Sequence, residues 1–385
     1  MAGPYSDVLQ FSNFGGSGPL RVGAAGSLGP YGTEDMAGNV KEWVWNESSD
    51  GKRFVLGGAW FEARHQFHDE DARRPFEREP GFGFRCMQPR DPIEDKLQAV
   101  LSAPTATLTR DVAELRPVGD EVFNAYRTLY EYDRRPLDAR VEERVETSGH
   151  WVMERVTVTA AYGDERLPIL MFLPRSSKPP YQTVVYFPGS DAVRTQSSRD
   201  PYMQWFEFLL RSGRAVAFPI YQQTYERRRE STGAHFLREI SVQRGQDVGR
   251  AIDYLETRQD IDRSRLALYG ISLGAQLAPV YLAIEPRLRT GVLLSGGFET
   301  WTIPPETDPV NFAPRVKQPV LMVNGREDFD LPYETAQVPL FNMLGTAKAD
   351  KRHAVLEGGH LPPRPQAVFK EILDWLDGYL GPVAQ

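Results

Sequence analysis

The stretch Leu266-Ala267-Leu268-Tyr269-Gly270-Ile271-Ser272-Leu273-Gly274-Ala275-Gln276 decides the fold of this chain. An apolar run leads directly into a G-x-S-x-G turn, and residues 275–284 continue as a helix, so the pattern reads as buried strand, sharp turn and helix. Only small residues can flank a serine on so tight a turn, because a Cβ at position 270 or 274 would crowd the strand against the helix. Ser272 then projects its hydroxyl from the top of a sheet beside a helix N-terminus, where backbone N–H groups favour developing negative charge. A surface Gly-Ser turn without chemistry is the alternative reading of five such residues. The strand before and the helix after favour the nucleophile.

Outward from this stretch, strands and helices alternate. Residues 153–162 and 167–173 read as a paired edge joined by Tyr162-Gly163-Asp164-Glu165. Short apolar runs at 183–187, 215–218, 290–294, 319–323 and 353–356 fit buried strands, and helical spacing marks 242–258 and 367–379. Repeated units of this kind predict an α/β fold, a mostly parallel sheet covered by helices on both faces, with reactive residues at the carboxyl ends of its strands.

A serine hydroxyl needs a base within hydrogen-bond reach, and the base needs an orienting acid. Of six histidines, only His360 follows a late strand in a glycine-rich turn, Leu356-Glu357-Gly358-Gly359-His360. Asp328 follows the preceding strand in Asn324-Gly325-Arg326-Glu327-Asp328, with Glu327 and Asp330 as rivals for the acid. His353, beside Lys351 and Arg352, is expected to be exposed, and His150 and His235 are given ordinary surface or core roles. Acyl transfer also needs two N–H donors for an oxyanion. The amide of Leu273 is one; the amide of Ser190 or Asp191, in Phe187-Pro188-Gly189-Ser190-Asp191, is the other, although Pro-Gly is also a common turn. The long strand-end loops 221–230 and 298–315 offer Tyr221, Tyr225 and Trp301 as pocket walls or, equally, as packing aromatics.

Composition bounds the rest. The 385 residues exceed the usual size of one domain; 41% are hydrophobic and 25% charged, an ordinary globular balance. A net charge of −7 without a basic stripe argues against a nucleic-acid partner. The single cysteine, Cys86, excludes an intrachain disulfide framework and suits a reducing compartment. No apolar run spans a bilayer and no signal core opens the chain, so a soluble, cytoplasmic protein is expected. Residues 91–149 carry dense charges of both signs, and helical patterns at 93–101 and 118–132 suggest a helical connector.

Residues 1–90 read as loops and short strands. The runs Asp35-Met36-Ala37-Gly38-Asn39-Val40-Lys41-Glu42-Trp43, Gly57-Gly58-Ala59-Trp60 and Gly83-Phe84-Arg85-Cys86 resemble the C-terminal signatures of the formylglycine-generating enzyme (sulfatase-modifying factor) domain. The resemblance implies a small, irregular, C-type-lectin-like partial domain. That family's oxidase chemistry uses a cysteine pair binding copper, so one cysteine points to an accessory module that binds, shields or joins subunits. Relatives binding iron through histidines direct attention to His65 and His68, which read here as a solvated loop; relatives binding calcium make Asn39 and Glu42 either oxygen ligands or members of a polar turn.

Residues 150–385 resemble an α/β-hydrolase of the esterase or prolyl-oligopeptidase-like type, in whose chain order Ser272, Asp328 and His360 stand. The two resemblances together suggest large bacterial proteins joining a kinase, a formylglycine-generating-enzyme-like domain and a hydrolase, of which this chain would be a fragment or shortened relative; no kinase motif is present. The expected function is a cofactor- and metal-independent serine carboxylesterase for short-chain acyl esters. A binding or signalling-output module is the alternative, and lyase or transferase chemistry a third. Half a module would expose apolar surface around Trp43, Trp45 and Trp60, to be covered by the hydrolase or by another subunit. Deleting residues 1–90 is therefore expected to lower solubility or change oligomer size, read by size-exclusion chromatography with light scattering; an equally stable, unchanged monomer would count against it.

Overall fold

The computed structural model describes residues 9, 11–29, 31–49, 51–62, 67, 71–105, 111–199, 201–229, 235–299, 301–328, 330–361 and 365–383. His65 and His68 lie outside these residues. The chain forms two compact units, one of Met1–Arg110 with Thr300–Thr302 and Glu327–Pro332, the other of Asp111–Glu299, Ile303–Arg326 and Tyr333–Gln385.

The first unit holds a small sheet, β1 (Lys41–Glu47), β2 (Arg53–Leu56), β3 (Ala72–Arg73) and β4 (Phe82–Phe84), in the order β3-β2-β1-β4, followed by helix α1 (Asp95–Ser102). Its motif residues are spent on holding the backbone together. Asn39, at φ +66°, accepts the Leu20 amide on its Oδ1 at 2.7 Å and donates from Nδ2 to the Leu20 carbonyl at 3.1 Å. Glu42 makes two 2.7 Å contacts with Arg85. Both side chains are thus engaged within the protein. Lys41 is only 4% exposed and pairs with Glu62 at 2.7 Å and Asp71 at 2.9 Å. Burial pulls its ammonium pKa down, but the two carboxylates outweigh that and hold it above its ordinary value.

The second unit, whose first α-helix is α2 (Asp120–Thr128), is built on a nine-stranded sheet. Its strands are β5 (Arg140–Val145), β6 (Trp151–Thr159), β7 (Arg166–Pro174), β8 (Tyr181–Phe187), β9 (Ala215–Pro219), β10 (Ile261–Ile271), β11 (Thr290–Leu294), β12 (Val320–Gly325) and β13 (Lys351–Leu356). The order is β13-β12-β11-β10-β8-β9-β7-β6-β5. The six strands from β13 to β9 are parallel; β7, β6 and β5 continue antiparallel. Parallel strands buried on both faces read as continuous apolar runs, which is why they were visible in sequence. The connector differs from the expectation of helices alone: its charged stretch Arg140–Val145 is the outermost strand, with five of its six residues exposed. Charges of both signs there protect a sheet edge rather than a helix face.

The remaining helices are α3 (Asp191–Arg194), α4 (Glu207–Arg211), α5 (Phe236–Thr257), α6 (Leu273–Ile284), α7 (Pro309–Phe312), α8 (Val338–Met343) and α9 (Pro365–Leu380). One core joins the sheet to α5, α6, α7 and Phe123 of α2; the other, on the opposite face, joins it to α4 and α9. Two apolar layers around one sheet are the predicted α/β architecture.

The turn between β10 and α6 shows why its glycines are required. A Cβ on Gly270 would lie 2.4 Å from the Gly274 carbonyl, and one on Gly274 would lie 2.4 Å from the Phe187 carbonyl. Both obstacles are backbone, which cannot swing aside. Gly270→Ala is expected to lower the unfolding free energy by at least about 2 kcal/mol, measured by urea denaturation; an unchanged midpoint would contradict the packing described.

Candidate active site

Ser272 lies between strand and helix at φ +50°, ψ −111°, a left-handed conformation that serine seldom adopts. Its amide donates to the Leu294 carbonyl at 2.8 Å and its carbonyl accepts the Gln276 amide at 2.9 Å, so the strained residue is held from both sides. His360 follows β13, and its Nε2 stands 2.8 Å from the Ser272 Oγ. The structure therefore brings together the serine and the histidine that the sequence singled out, 88 positions apart.

The His360 turn is held by residues that the sequence reading passed over. Ser295, fully buried at φ +57° just after β11, donates its hydroxyl to the His360 carbonyl. Gly325, the last residue of β12, has the Gly359 carbonyl where a Cβ would be, at 1.9 Å, so the two strand ends pass in backbone contact. Gln337 donates to the Gly325 carbonyl at 3.0 Å. The small residues Ser295-Gly296-Gly297 after an apolar run were the available signal.

Asp328 stands three residues beyond β12. Strands β12 and β13 pair with Gly325 opposite Leu356, and the Arg326 amide donates to the Leu356 carbonyl at 2.8 Å. The Asp328 carboxylate is fully buried, and its Oδ1 accepts the amides of Asp330 and Leu331 at 3.0 Å each. Its rivals Glu327 and Asp330 are exposed.

Of the oxyanion candidates, Leu273 is the first residue of α6, and Ser190 and Asp191 open α3. Between Phe187 and these amides, Gly189 runs so close to the serine that a Cβ would lie 3.6 Å from the Ser272 Cβ. The aromatic candidates divide. Tyr221 is fully buried, stacks on Phe187 at 3.9 Å and donates its hydroxyl to the Tyr186 carbonyl at 3.0 Å. Tyr225 is buried edge-on to Phe218. Both are buried among aromatic neighbours, whereas Trp301 is 56% exposed.

His353 corrects an expectation. His353 is half-buried in β13, against the rings of Tyr333 at 5.8 Å and Phe341 at 5.4 Å, while Arg352 before it is exposed. Its Nε2 lies 3.1 Å from the Asn324 Oδ1. The Asn324 Nδ2 donates to the Gly296 carbonyl, so the oxygen faces the imidazole and Nε2 carries the proton.

Comparisons with known proteins agree with this architecture. Residues 15–90 match the family described as the sulfatase-modifying factor enzyme 1-like domain. Acetyl xylan esterase 1 from Thermoanaerobacterium sp. JW/SL YS485 superposes with a TM-score of 0.55 at 17% identity, over 69% of this chain and 96% of that one. Acetyl xylan esterase from Paenibacillus sp. R4 gives 0.54 at 18% identity over the same shares. A cold-adapted esterase from an Arctic intertidal metagenomic library gives 0.50 at 19% identity, over 62% of this chain and 98% of that one. No curated protein matches the sequence. At such identities the likeness establishes the fold: the large unit is an α/β-hydrolase fold, preceded by a sulfatase-modifying-factor-like region. Among the described residues no helix is long and apolar enough to cross a membrane.

Burial pushes the His353 pKa down to about 4, below the value of about 6.5 in the unfolded chain. The unfolded state then takes up the proton first, so the stability contributed by neutral His353 is complete above about pH 6.5 and is lost as pH falls towards 4. The fall in urea midpoint over this window is expected to be smaller in His353→Leu than in wild type; parallel curves would overturn the assignment.

Proposed function

We propose that the large unit is a serine carboxylesterase hydrolysing short-chain acyl esters. The observation that carries this reading is the 2.8 Å contact of the His360 Nε2 with the hydroxyl of a serine held at positive φ between a buried strand and a helix. Ser272 attacks the ester carbonyl carbon while His360 takes its proton. Asp328, leaving the strand next to that of His360, orients the imidazole and stabilises its charged form. The tetrahedral oxyanion is held by the amide of Leu273 and that of Ser190 or Asp191. Collapse expels the alcohol, which takes the proton from His360 and leaves the acyl group on Ser272. Water then attacks the acyl carbon, giving its proton to His360; the acid departs and the proton returns to the serine.

The esterase names of the structural neighbours support ester hydrolysis, and the acetyl group in two of them supports a short acyl chain. In this reading the small N-terminal unit is an accessory that binds, shields or joins subunits. The free, exposed Cys86 is compatible with a reducing, cytoplasmic setting.

A 4-nitrophenyl ester series from acetate to palmitate, assayed with wild type and Ser272→Ala, tests the reading. Hydrolysis of the short esters is expected, with kcat at least about 10⁴-fold lower in the variant, and an organophosphate is expected to label Ser272 alone. Equal activity in both proteins would remove Ser272 from the mechanism.

A further inference from the structure

The loop after β9 and the first half of α5 bury charged groups that the proposed reaction does not use. Asp247, fully buried, accepts from the Tyr162 hydroxyl at 2.9 Å, the Gln222 amide at 2.9 Å and the Arg227 Nη1 at 2.8 Å. Arg227 extends further to Glu165 at 3.1 Å and to the Ile220 carbonyl at 2.8 Å. Asp247 is therefore a fully committed carboxylate.

Arg244, one turn earlier on α5, is only 7% exposed. Its Nε donates to the Gln222 carbonyl at 2.9 Å, which fixes the plane of the guanidinium. Among the described residues, its Nη1 and Nη2 have no protein acceptor. The residue is nearly buried, yet these two nitrogens are not shut off from solvent, so the fork stays open to an oxygen ligand arriving from outside. Burial pulls its pKa down, while Tyr281, Asp247 and Tyr162 act against that.

The position of Arg244 gives this unpaired cation a use. Gln222, which holds it, lies three residues beyond the end of β9, and Ser272 follows β10 directly. In the sheet, β10 and β9 flank β8 and all three are parallel, so the two groups stand at the same edge with one strand between them. At about 4.8 Å per strand their strand ends are roughly 10 Å apart. Phe187, the last residue of β8, fills the space beneath, stacked on Tyr221 at 3.9 Å and Tyr281 at 5.5 Å. The spacing of the two strand ends is that of a short carbon chain.

We propose that Arg244 binds a carboxylate carried by the substrate several bonds from its ester group, so that half-esters of short dicarboxylic acids are preferred over neutral esters. The planar fork of Nη1 and Nη2 presents paired donors that suit a carboxylate in bidentate geometry. This inference rests on the esterase reading of Ser272. Arg244 is then a specificity residue that touches substrate away from the reacting carbon.

The test compares kcat/KM for 4-nitrophenyl butyrate with that for the mono-4-nitrophenyl ester of glutaric acid. Wild type is expected to favour the anionic ester at least about tenfold. Arg244→Gln is expected to reduce that ratio by tenfold or more through KM, and Arg244→Lys, which keeps the charge but not the fork, to restore part of it. No preference in wild type, or an unchanged ratio in Arg244→Gln, overturns the proposal. Should Arg244→Gln fail to fold, binding of monomethyl glutarate and of its uncharged amide to Ser272→Ala by calorimetry decides the matter. Tighter binding of the acid supports the proposal, and equal affinities overturn it. Wild type that hydrolyses neither ester and escapes organophosphate labelling rejects the esterase reading, whereas the binding comparison judges the anion site by itself.

Discussion

Everything in the large unit depends on how closely α6 can approach β10. Ser272 occupies a left-handed conformation at the point where strand becomes helix, at a cost of about 1–3 kcal/mol for a residue with a side chain. That strain is tolerated because the surroundings leave no alternative. Strand β10 is clamped between β8 and β11, the Ser272 amide is bonded to the end of β11, and two glycines let backbone meet backbone at van der Waals limits. A serine placed this way projects its hydroxyl clear of both elements, and the His360 Nε2 meets it there.

The other parts of the proposed site are drawn from the sheet by one geometric rule. Parallel strands release their loops at a common carboxyl edge, so residues far apart in sequence converge without dedicated contacts along the way. The His360 turn follows β13, the loop bearing Asp328 follows β12, Ser295 follows β11, and the Gly189 loop follows β8. The contacts that fix this edge are mainly to backbone: Ser295 to the His360 carbonyl, Gln337 to the Gly325 carbonyl, Arg244 to the Gln222 carbonyl.

In the small unit the residues that make the motifs recognisable work on the fold itself. Asn39 completes a turn, Glu42 pins Arg85, and Lys41 binds two acids in a buried ion-pair cluster. A motif in sequence marks a constraint, and the structure assigns these to the architecture of a four-stranded sheet.

Sequence by itself determined whatever is encoded within one element or at its end. The buried strands were legible because strands covered on both faces are apolar throughout, and the Ser272 turn because its steric demand can be met only by glycine. The pairing of Ser272 with His360 was legible because the chain offers few serines on such a turn and few histidines after late strands. Tertiary structure decided what depends on which distant segment lies opposite. It set His353 against Tyr333 and Phe341, took Tyr221 and Tyr225 into the core, and made a charged connector segment the ninth strand of the sheet. It also committed Asp247 to Arg227 and left Arg244 unpaired among the described residues. No local pattern encodes these outcomes, because the energy of a buried polar or aromatic group is set by its neighbours in space, and those come from elsewhere in the chain.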